Sequence, residues 1–299
     1  MILCPLDKNS DVSLVEKITV EEIVLAYKSL FGIDIKRHFK DLEYIELYRE
    51  ESSGYKFFLP NGIDGDSYFY EELEKFDWYY MKWKWEHENC LKYLKESNNL
   101  LEIGSANGAF IERLLSMGFS CKGLELNSNA VAQCQKKRLP VIEESIQLHS
   151  NKNVGIYDFV CSFQVMEHID NIREFIEASV EVLKPGGRLL ISVPNNDSFL
   201  GYDRNYLNMP PHHMGLWNKK SLLFLAEIFP LEVVGCDYEP LQEYHKKYFY
   251  NTMKTYFGKK KTLFGRIILK AFILTFPYNL WFFSKVTKAF TIQVVYRKK

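Results

Sequence analysis

Two groups of residues in this 299-residue chain have types and spacings suited to chemistry. The first is Leu100-Leu101-Glu102-Ile103-Gly104-Ser105-Ala106-Asn107-Gly108, an apolar run ending in a turn of small residues. Gly104 permits a backbone turn that a side chain would obstruct, and Ala106 and Gly108 keep the loop low enough for a ligand to approach the main chain. The helix expected to follow aims its N-terminal amides, with their partial positive charge, at that ligand. Glu125 comes 21 residues after Gly104. A carboxylate there, at the end of a second strand, can accept hydrogen bonds from both hydroxyls of a ribose; a merely solvated acid is the plain alternative.

The same loop also reads as a relaxed dinucleotide fingerprint, Gly104-x-Ala106-x-x-Ala109. Glu102 argues against that reading. A dianionic pyrophosphate beside an unneutralised carboxylate is unfavourable in a poorly solvated crevice. A sulfonium and an amino group are cationic and are drawn to it. The charge pattern therefore favours S-adenosylmethionine over NAD.

The second group is histidine-based. His168 stands in Gln164-Val165-Met166-Glu167-His168, and His212 and His213 follow Pro210-Pro211. Histidine titrates near neutrality, so each could act as a base that takes a proton from an acceptor hydroxyl or amine. The bland account is loop bracing, with Glu167 and His168 held by hydrogen bonds. No metal is expected: adjacent histidines project differently, and no third ligand at metal-site spacing accompanies the pair.

The elements that would position these residues alternate regularly between 98 and 239. Strands are predicted at Asn99–Gly104, Ser120–Leu126, Leu139–Ile142, Tyr157–Phe163 and Arg188–Val193, with helices near Ala109–Met117, Ser128–Lys137, Ile172–Leu183 and Asn218–Ile228. Lys184-Pro185-Gly186-Gly187 is expected to stop the third of these helices. Leu231–Cys236 and Thr291–Tyr296 are the last strand candidates. The pattern predicts an α/β fold with a mostly parallel seven-stranded sheet, helices on both faces, and ligands beyond the carboxyl ends of the strands.

LLEIGSANGAF, LELN, YDFVCSFQVMEHI, LKPGGRLLISVPN and PPHHMGLWNKKSL occur in order and register over about 98–237. In this the chain resembles the class I S-adenosylmethionine-dependent methyltransferases of the methyltransferase-domain type, especially those of bacterial surface-polysaccharide and sugar-tailoring genes. The resemblance implies a Rossmann-like fold and methyl transfer to oxygen or nitrogen of a small metabolite, a sugar or lipid-linked glycan among them. It implies that Glu102, Gly104, Ser105, Ala106 and Gly108 cradle the methionine and ribose portions, and that Glu125 and Leu126 hold the ribose side. Glu144 or Ser145 would lie near the adenine. Phe163 and Gln164 would line the floor, although core packing accounts equally for Phe163. Ala106 departs from the pattern, which more often has glycine there. An inactive cofactor-binding partner module and an NAD enzyme are the rival readings.

The flanks are less regular. Cys4-Pro5-Leu6-Asp7 and Arg49–Tyr55 resemble a worn zinc-ribbon segment, and one cysteine cannot supply the four donors of a structural zinc. Residues 1–97 are thus expected to be an extension, and 98–299 the cofactor domain. Tyr79, Tyr80, Trp83 and Trp85 either close over the site or pack a helix. An insertion at about 238–289 carries Lys259-Lys260-Lys261 and an aromatic stretch to about 284. Pro277, Arg266 and Lys270 argue against a spanning helix. The insertion is then a lid, a dimer contact or a peripheral membrane-surface contact. Lys+Arg and Asp+Glu both total 38, which gives no reason to expect nucleic acid. Six cysteines without a CxxC pair, and no basic-then-apolar leader, point to a cytoplasmic protein, with contact at the inner membrane face as the variant.

Overall fold

The computed structural model describes residues 2–76, 79, 81–94, 99–202, 204–259, 267, 270, 272–275 and 290–299. Eleven strands are found among them: β1 (Val12–Thr19), β2 (Tyr44–Glu50), β3 (Lys56–Leu59), β4 (Asn99–Ile103), β5 (Ser120–Glu125), β6 (Val141–Glu143), β7 (Tyr157–Phe163), β8 (Leu183–Pro194), β9 (Gly215–Leu216), β10 (Leu231–Tyr238) and β11 (Thr291–Lys298). The helices are α1 (Val20–Phe31), α2 (Lys36–Phe39), α3 (Ser67–Glu74), α4 (Trp85–Leu91), α5 (Ala109–Ser116), α6 (Ser128–Lys136), α7 (Ile146–Ser150), α8 (Ile172–Glu181), α9 (Lys219–Ile228) and α10 (Lys246–Lys259).

Seven strands form one sheet in the order β10-β11-β8-β7-β4-β5-β6. Only β11 runs antiparallel to its neighbours, and the other pairings are parallel. This is the mostly parallel Rossmann-like sheet expected from the alternation of strands and helices. Its central strands carry apolar residues on both faces because helices cover both. Leu100, Leu101, Val160 and Cys161 are accordingly buried. Strand order reverses between β4 and β7, where Glu102 lies opposite Cys161. The loops leaving those two strands therefore diverge and open a crevice.

One predicted boundary is corrected. Lys184-Pro185-Gly186-Gly187 is not a turn between helix and strand but an irregular stretch within β8. Leu183 already pairs with Tyr157, and the ladder resumes at Phe159 opposite Arg188. Gly186, at φ 74°, takes the left-handed backbone that this detour requires.

The first 97 residues build a second, four-stranded sheet in the order β1-β2-β3-β9. Its fourth strand comes from the catalytic half of the chain: Lys56 pairs with Leu216 and Phe57 with Gly215. Tyr55 stacks on Trp217 at 4.2 Å, and both are fully buried in the core that also holds Leu101 and Val160. Burying aromatic rings of this size stabilises by about 1.5–3 kcal/mol each, so the extension is joined to the main sheet by packing as well as pairing. Cys4 lies in that same apolar core. The turn that resembles a zinc knuckle is organised by Glu50, whose carboxylate accepts from the backbone N–H of Ser52 (2.7 Å) and Ser53 (2.6 Å).

After β10 the chain enters α10, and Phe249 packs with Phe199, Leu241 and Phe272. Most of the stretch 259–284 singled out for a membrane surface lies outside the described residues, as does Tyr80. Among the described residues no helix is long and apolar enough to cross a membrane.

Candidate active site

A cavity of about 1230 Å³ opens at the carboxyl ends of β4 and β7. Every residue expected to contact the cofactor lines it except Gly108. A Cβ on Gly108 would meet Leu139 at 2.7 Å and Cys134 at 2.8 Å, so this glycine serves the packing of α5 against α6. Gly104 does belong to the cavity. Its φ is +77°, and an added Cβ would fall 2.4 Å from Val165, the first residues of the two diverging loops being that close.

Ala106 also has a left-handed backbone, φ 44°. That conformation costs a residue with a Cβ about 1–2 kcal/mol, which explains why glycine suits this position. Glu125 offsets the cost. Its Oε2 accepts from the Ala106 N–H at 2.7 Å, and its Oε1 accepts from Leu126 and Asn127 at 2.8 and 2.9 Å. Glu125 is thus neither simply solvated nor wholly free for a ligand, because it braces the loop that it faces. Leu126 beside it is exposed in the cavity wall, an apolar surface suited to a flat ring. Glu144 is held by His149 Nδ1 at 2.6 Å, and Ser145 caps α7 through the Leu148 N–H at 3.2 Å.

Glu102 is nearly solvent-free, and its Oε2 has no hydrogen-bond partner. Burial pushes it up to about 8, with Glu125 adding repulsion and a contact from Ser105 opposing the rise. This refines the charge argument made from sequence. In the ligand-free protein the group is mostly protonated at neutral pH, so its discrimination works by linkage: a cation draws the proton off and an anion holds it on. Phe163 has two surroundings. It packs edge-on against Phe110 (4.9 Å) and His87 (4.8 Å) while lining the cavity. Gln164 follows it at φ 54°, again left-handed.

The histidines converge more closely than their sequence positions suggest. His168 lies in a 3₁₀ turn after β7, and His212 and His213 lie just before β9. Ring centroids are 4.7 Å apart for His168–His212, 4.9 Å for His168–His213 and 4.4 Å for His212–His213. The expectation that the adjacent pair projects apart, with no third donor nearby, is therefore corrected. The N–H groups of His212 and His213 both donate to Met209 O at 3.1 Å, and that tight turn stacks the two rings at 20°. Burial lowers His168 to about 4, and lowers His212 and His213 well below the ordinary histidine range, so all three rings are uncharged at neutral pH.

Three carboxyl groups line the same cavity: Glu86 and Glu239, which the sequence reading missed, and Glu167, which it named only as a loop brace. Each is nearly solvent-free. Burial raises Glu167 to about 8 and Glu239 to about 7, and Glu86 repels both. Glu239 accepts from the Tyr244 hydroxyl at 2.6 Å and the Thr291 N–H at 3.1 Å. Nothing local marks these acids as buried, since they arrive from α4, the β7 loop and the end of β10. Tyr79 reaches the cavity, its hydroxyl 3.3 Å from His212 Nε2, whereas Trp83 stacks on Phe110 at 6.0 Å.

A nucleoside-sized crevice at the sheet's switch point, joined to a compartment rich in rings and ionisable groups, suits a two-substrate transfer. Residues 78–234, more than half of the chain, match the family described as methyltransferase domain. The mitochondrial ubiquinone biosynthesis O-methyltransferase of Rattus norvegicus is 32% identical over 166 residues, covering 48% of this chain and 48% of that protein. The chain thus spans about half the length of the rat protein it matches. The ubiquinone biosynthesis O-methyltransferase of Cronobacter sakazakii is 23% identical over 209 residues, covering 57% of this chain and 84% of the relative. In fold, the chain is similar to a solved SAM-dependent methyltransferase from Archaeoglobus fulgidus, with TM-score 0.51 and 17% identity over 71% of this chain and 91% of that one. With the family match running over more than half of the chain and through the strands and loops that form the crevice, the chain belongs to the methyltransferase-domain family and is a class I S-adenosylmethionine-dependent methyltransferase.

Proposed function

We propose that the protein methylates a hydroxyl oxygen of a small-molecule acceptor, with a sugar or lipid-linked glycan as the first class to test. One observation carries the reading: the strand-end crevice and the histidine-lined compartment form a single continuous cavity. The O-methyltransferase names of the relatives support oxygen over nitrogen. When bound, S-adenosylmethionine supplies a methyl group on a cationic sulfur that leaves as a neutral thioether.

In this reading Glu102 faces the cationic end of the cofactor, and Gly104, Ser105 and Ala106 pass beneath it. Glu125 takes the ribose hydroxyls while keeping the loop amides, and Leu126, Glu144 and Ser145 border the adenine. The fit rests on the unpartnered Glu102 Oε2 and on the Gly104 cradle that a side chain would fill. Phe163 and Gln164 form the floor. His168, His212 and His213 receive the acceptor: an imidazole lone pair accepts a hydrogen bond from its hydroxyl, orients the oxygen and takes up its proton as the new bond forms. Tyr70, Tyr79 and Tyr206, on the wall formed with the N-terminal sheet, offer flat faces for a sugar ring or an apolar chain. A lipid-linked acceptor would bring the stretch 259–284 to a membrane surface.

The test is turnover with S-adenosylmethionine against sugars, lipid-linked sugars and phenols, reading S-adenosylhomocysteine release and product mass. Product methylated on oxygen is expected. Methylation confined to amine nitrogen across a matched amine panel would reject the reading.

A further inference from the structure

We propose that His168, His212 and His213, with the Glu167 carboxylate beside them, form a binding site for a divalent transition-metal ion in the wall of the acceptor compartment. One ring nitrogen from each histidine lies within 4.8 Å of the other two. Nitrogens bound to one zinc-sized ion at about 2.1 Å sit roughly 3.4 Å apart, so the rings need close in by only about an ångström.

The hydrogen bonds around the cluster prepare the rings for such a role. His168 Nδ1 donates to the carbonyl of His212, and His212 Nδ1 donates to the carbonyl of Leu207 at 2.8 Å. A carbonyl cannot donate, so the proton must sit on Nδ1 in both rings. His213 Nδ1 meets Asn208 Oδ1 at 2.9 Å, and that atom is identified as oxygen because Asn208 Nδ2 donates to Asn196 Oδ1 at 2.6 Å. All three Nδ1 atoms thus carry the hydrogen, which leaves Nε2 as the ligand atom of each ring; at His212 that lone pair accepts from the Tyr79 hydroxyl at 3.3 Å, a contact the ion would displace. An oxygen acceptor behind each imidazole is the arrangement that fixes tautomer and orientation at metal centres.

Glu167 supplies the second, independent observation. Its side chain is almost wholly buried, Oε1 lies 3.9 Å from His168 Nε2, and Oε2 has no hydrogen-bond partner. A buried orphaned carboxylate oxygen beside clustered lone pairs calls for a cation between them. Three imidazoles and one carboxylate form a borderline donor set that suits zinc, cobalt, nickel or iron, whereas magnesium and calcium prefer oxygen throughout. The ion would keep a coordination position toward the cavity, where an acceptor hydroxyl would bind with lowered pKa, taking over the acceptor's contact from the imidazole lone pairs whenever the metal is bound. That last role rests on the O-methylation reading, but the metal site itself does not.

The test uses the tag-free full-length protein, stripped with chelator and titrated calorimetrically with Zn²⁺, Co²⁺ and Mg²⁺, with the visible spectrum of the Co²⁺ form recorded. One equivalent of Zn²⁺ or Co²⁺ is expected, with Mg²⁺ at least about 100-fold weaker. Asn208→Ala does not remove a ligand but frees the His213 tautomer, and is expected to weaken Co²⁺ binding about 10–100-fold. His213→Gln should abolish the Co²⁺ spectrum, whereas His38→Gln, on α2, should not. Unchanged S-adenosylhomocysteine binding checks that each variant is folded. If His213→Gln does not fold, the Asn208→Ala titration and the native Co²⁺ spectrum decide. Absence of stoichiometric binding to the wild type, equal binding in the Asn208 variant, or Mg²⁺ binding as tight as Zn²⁺ would each overturn the site. Metal binding without turnover on any hydroxyl would instead retain the site and reject the acceptor reading.

Discussion

Replacing Glu102 by Gln tests whether the cofactor's positive charge is matched by a buried acid that must first ionise. With the carboxyl raised to about 8, roughly 1% is ionised at pH 6 and about half at pH 8. A ligand that binds the ionised form then loses roughly 3 kcal/mol at pH 6 and well under 1 kcal/mol at pH 8, at about 1.4 kcal/mol per pKa unit. The ratio of wild-type to Glu102→Gln affinity for S-adenosylmethionine should therefore climb on the order of tens-fold over that range, because the ligand's own titration cancels in the ratio. Isothermal titration in matched-ionic-strength buffers measures it. The free protein gives a second readout. Glu102 holds its proton more tightly folded than unfolded, so stability falls as pH rises from the ordinary carboxylate range to about 8. The Gln variant should lack that part of the decline and show a higher Tm than wild type at pH 8. A ratio that stays flat between pH 6 and 8 would refute the reasoning, whatever the absolute affinities.

Three further substitutions separate roles that overlap in one place. Glu125→Ala should weaken S-adenosylhomocysteine binding by about 1–3 kcal/mol through the ribose and also lower Tm, since three backbone amides lose their acceptor; a Tm loss with unchanged affinity would reduce Glu125 to a brace. Gly104→Ala places a methyl 2.4 Å from Val165 at φ +77°, and should abolish cofactor binding. Val165→Ala added to it should recover only the steric part and leave about 1–2 kcal/mol of backbone strain, so full recovery in the double variant would contradict the strained turn. Gly215→Ala sets a Cβ 2.4 Å from the Tyr55 hydroxyl and should cost about 1–3 kcal/mol in denaturant melts. It should also lower turnover more than S-adenosylhomocysteine affinity, and an unchanged turnover would uncouple the N-terminal sheet from the histidine loop.

The sheet was legible from Asn99 onward because its strands are short apolar runs punctuated by glycine and polar turns, a periodic signal that needs no partner. The cofactor crevice was legible for the same reason: Gly104 and Glu125 are local features at a spacing set by one strand, one helix and the next strand. Gly108 packs against Cys134 and Leu139 rather than lining the cavity, and a glycine that admits a ligand and a glycine that admits a neighbouring helix look alike in one dimension. The histidine compartment was mostly illegible. Its acids, Glu86, Glu167 and Glu239, owe their character to burial among distant elements. The three histidines owe theirs to the Met209 turn and to the Met214 N–H bonding the Glu167 carbonyl at 2.7 Å, which bring positions 168 and 212 together. The N-terminal strands lacked clean alternation because β2 and β3 pack on two different cores, with Ile45 in one and Phe57 in the other.

The two-residue strand Gly215–Leu216, borrowed into the N-terminal sheet, links parts of the chain that lie far apart in sequence. Residues 212 and 213 lead directly into that strand and so take their bearing from a hairpin built more than 150 positions earlier, whereas Gly104 and Glu125 stand at the ends of β4 and β5. A substitution that shifts this hairpin would therefore be carried to the paired histidines through the backbone of a strand only two residues long.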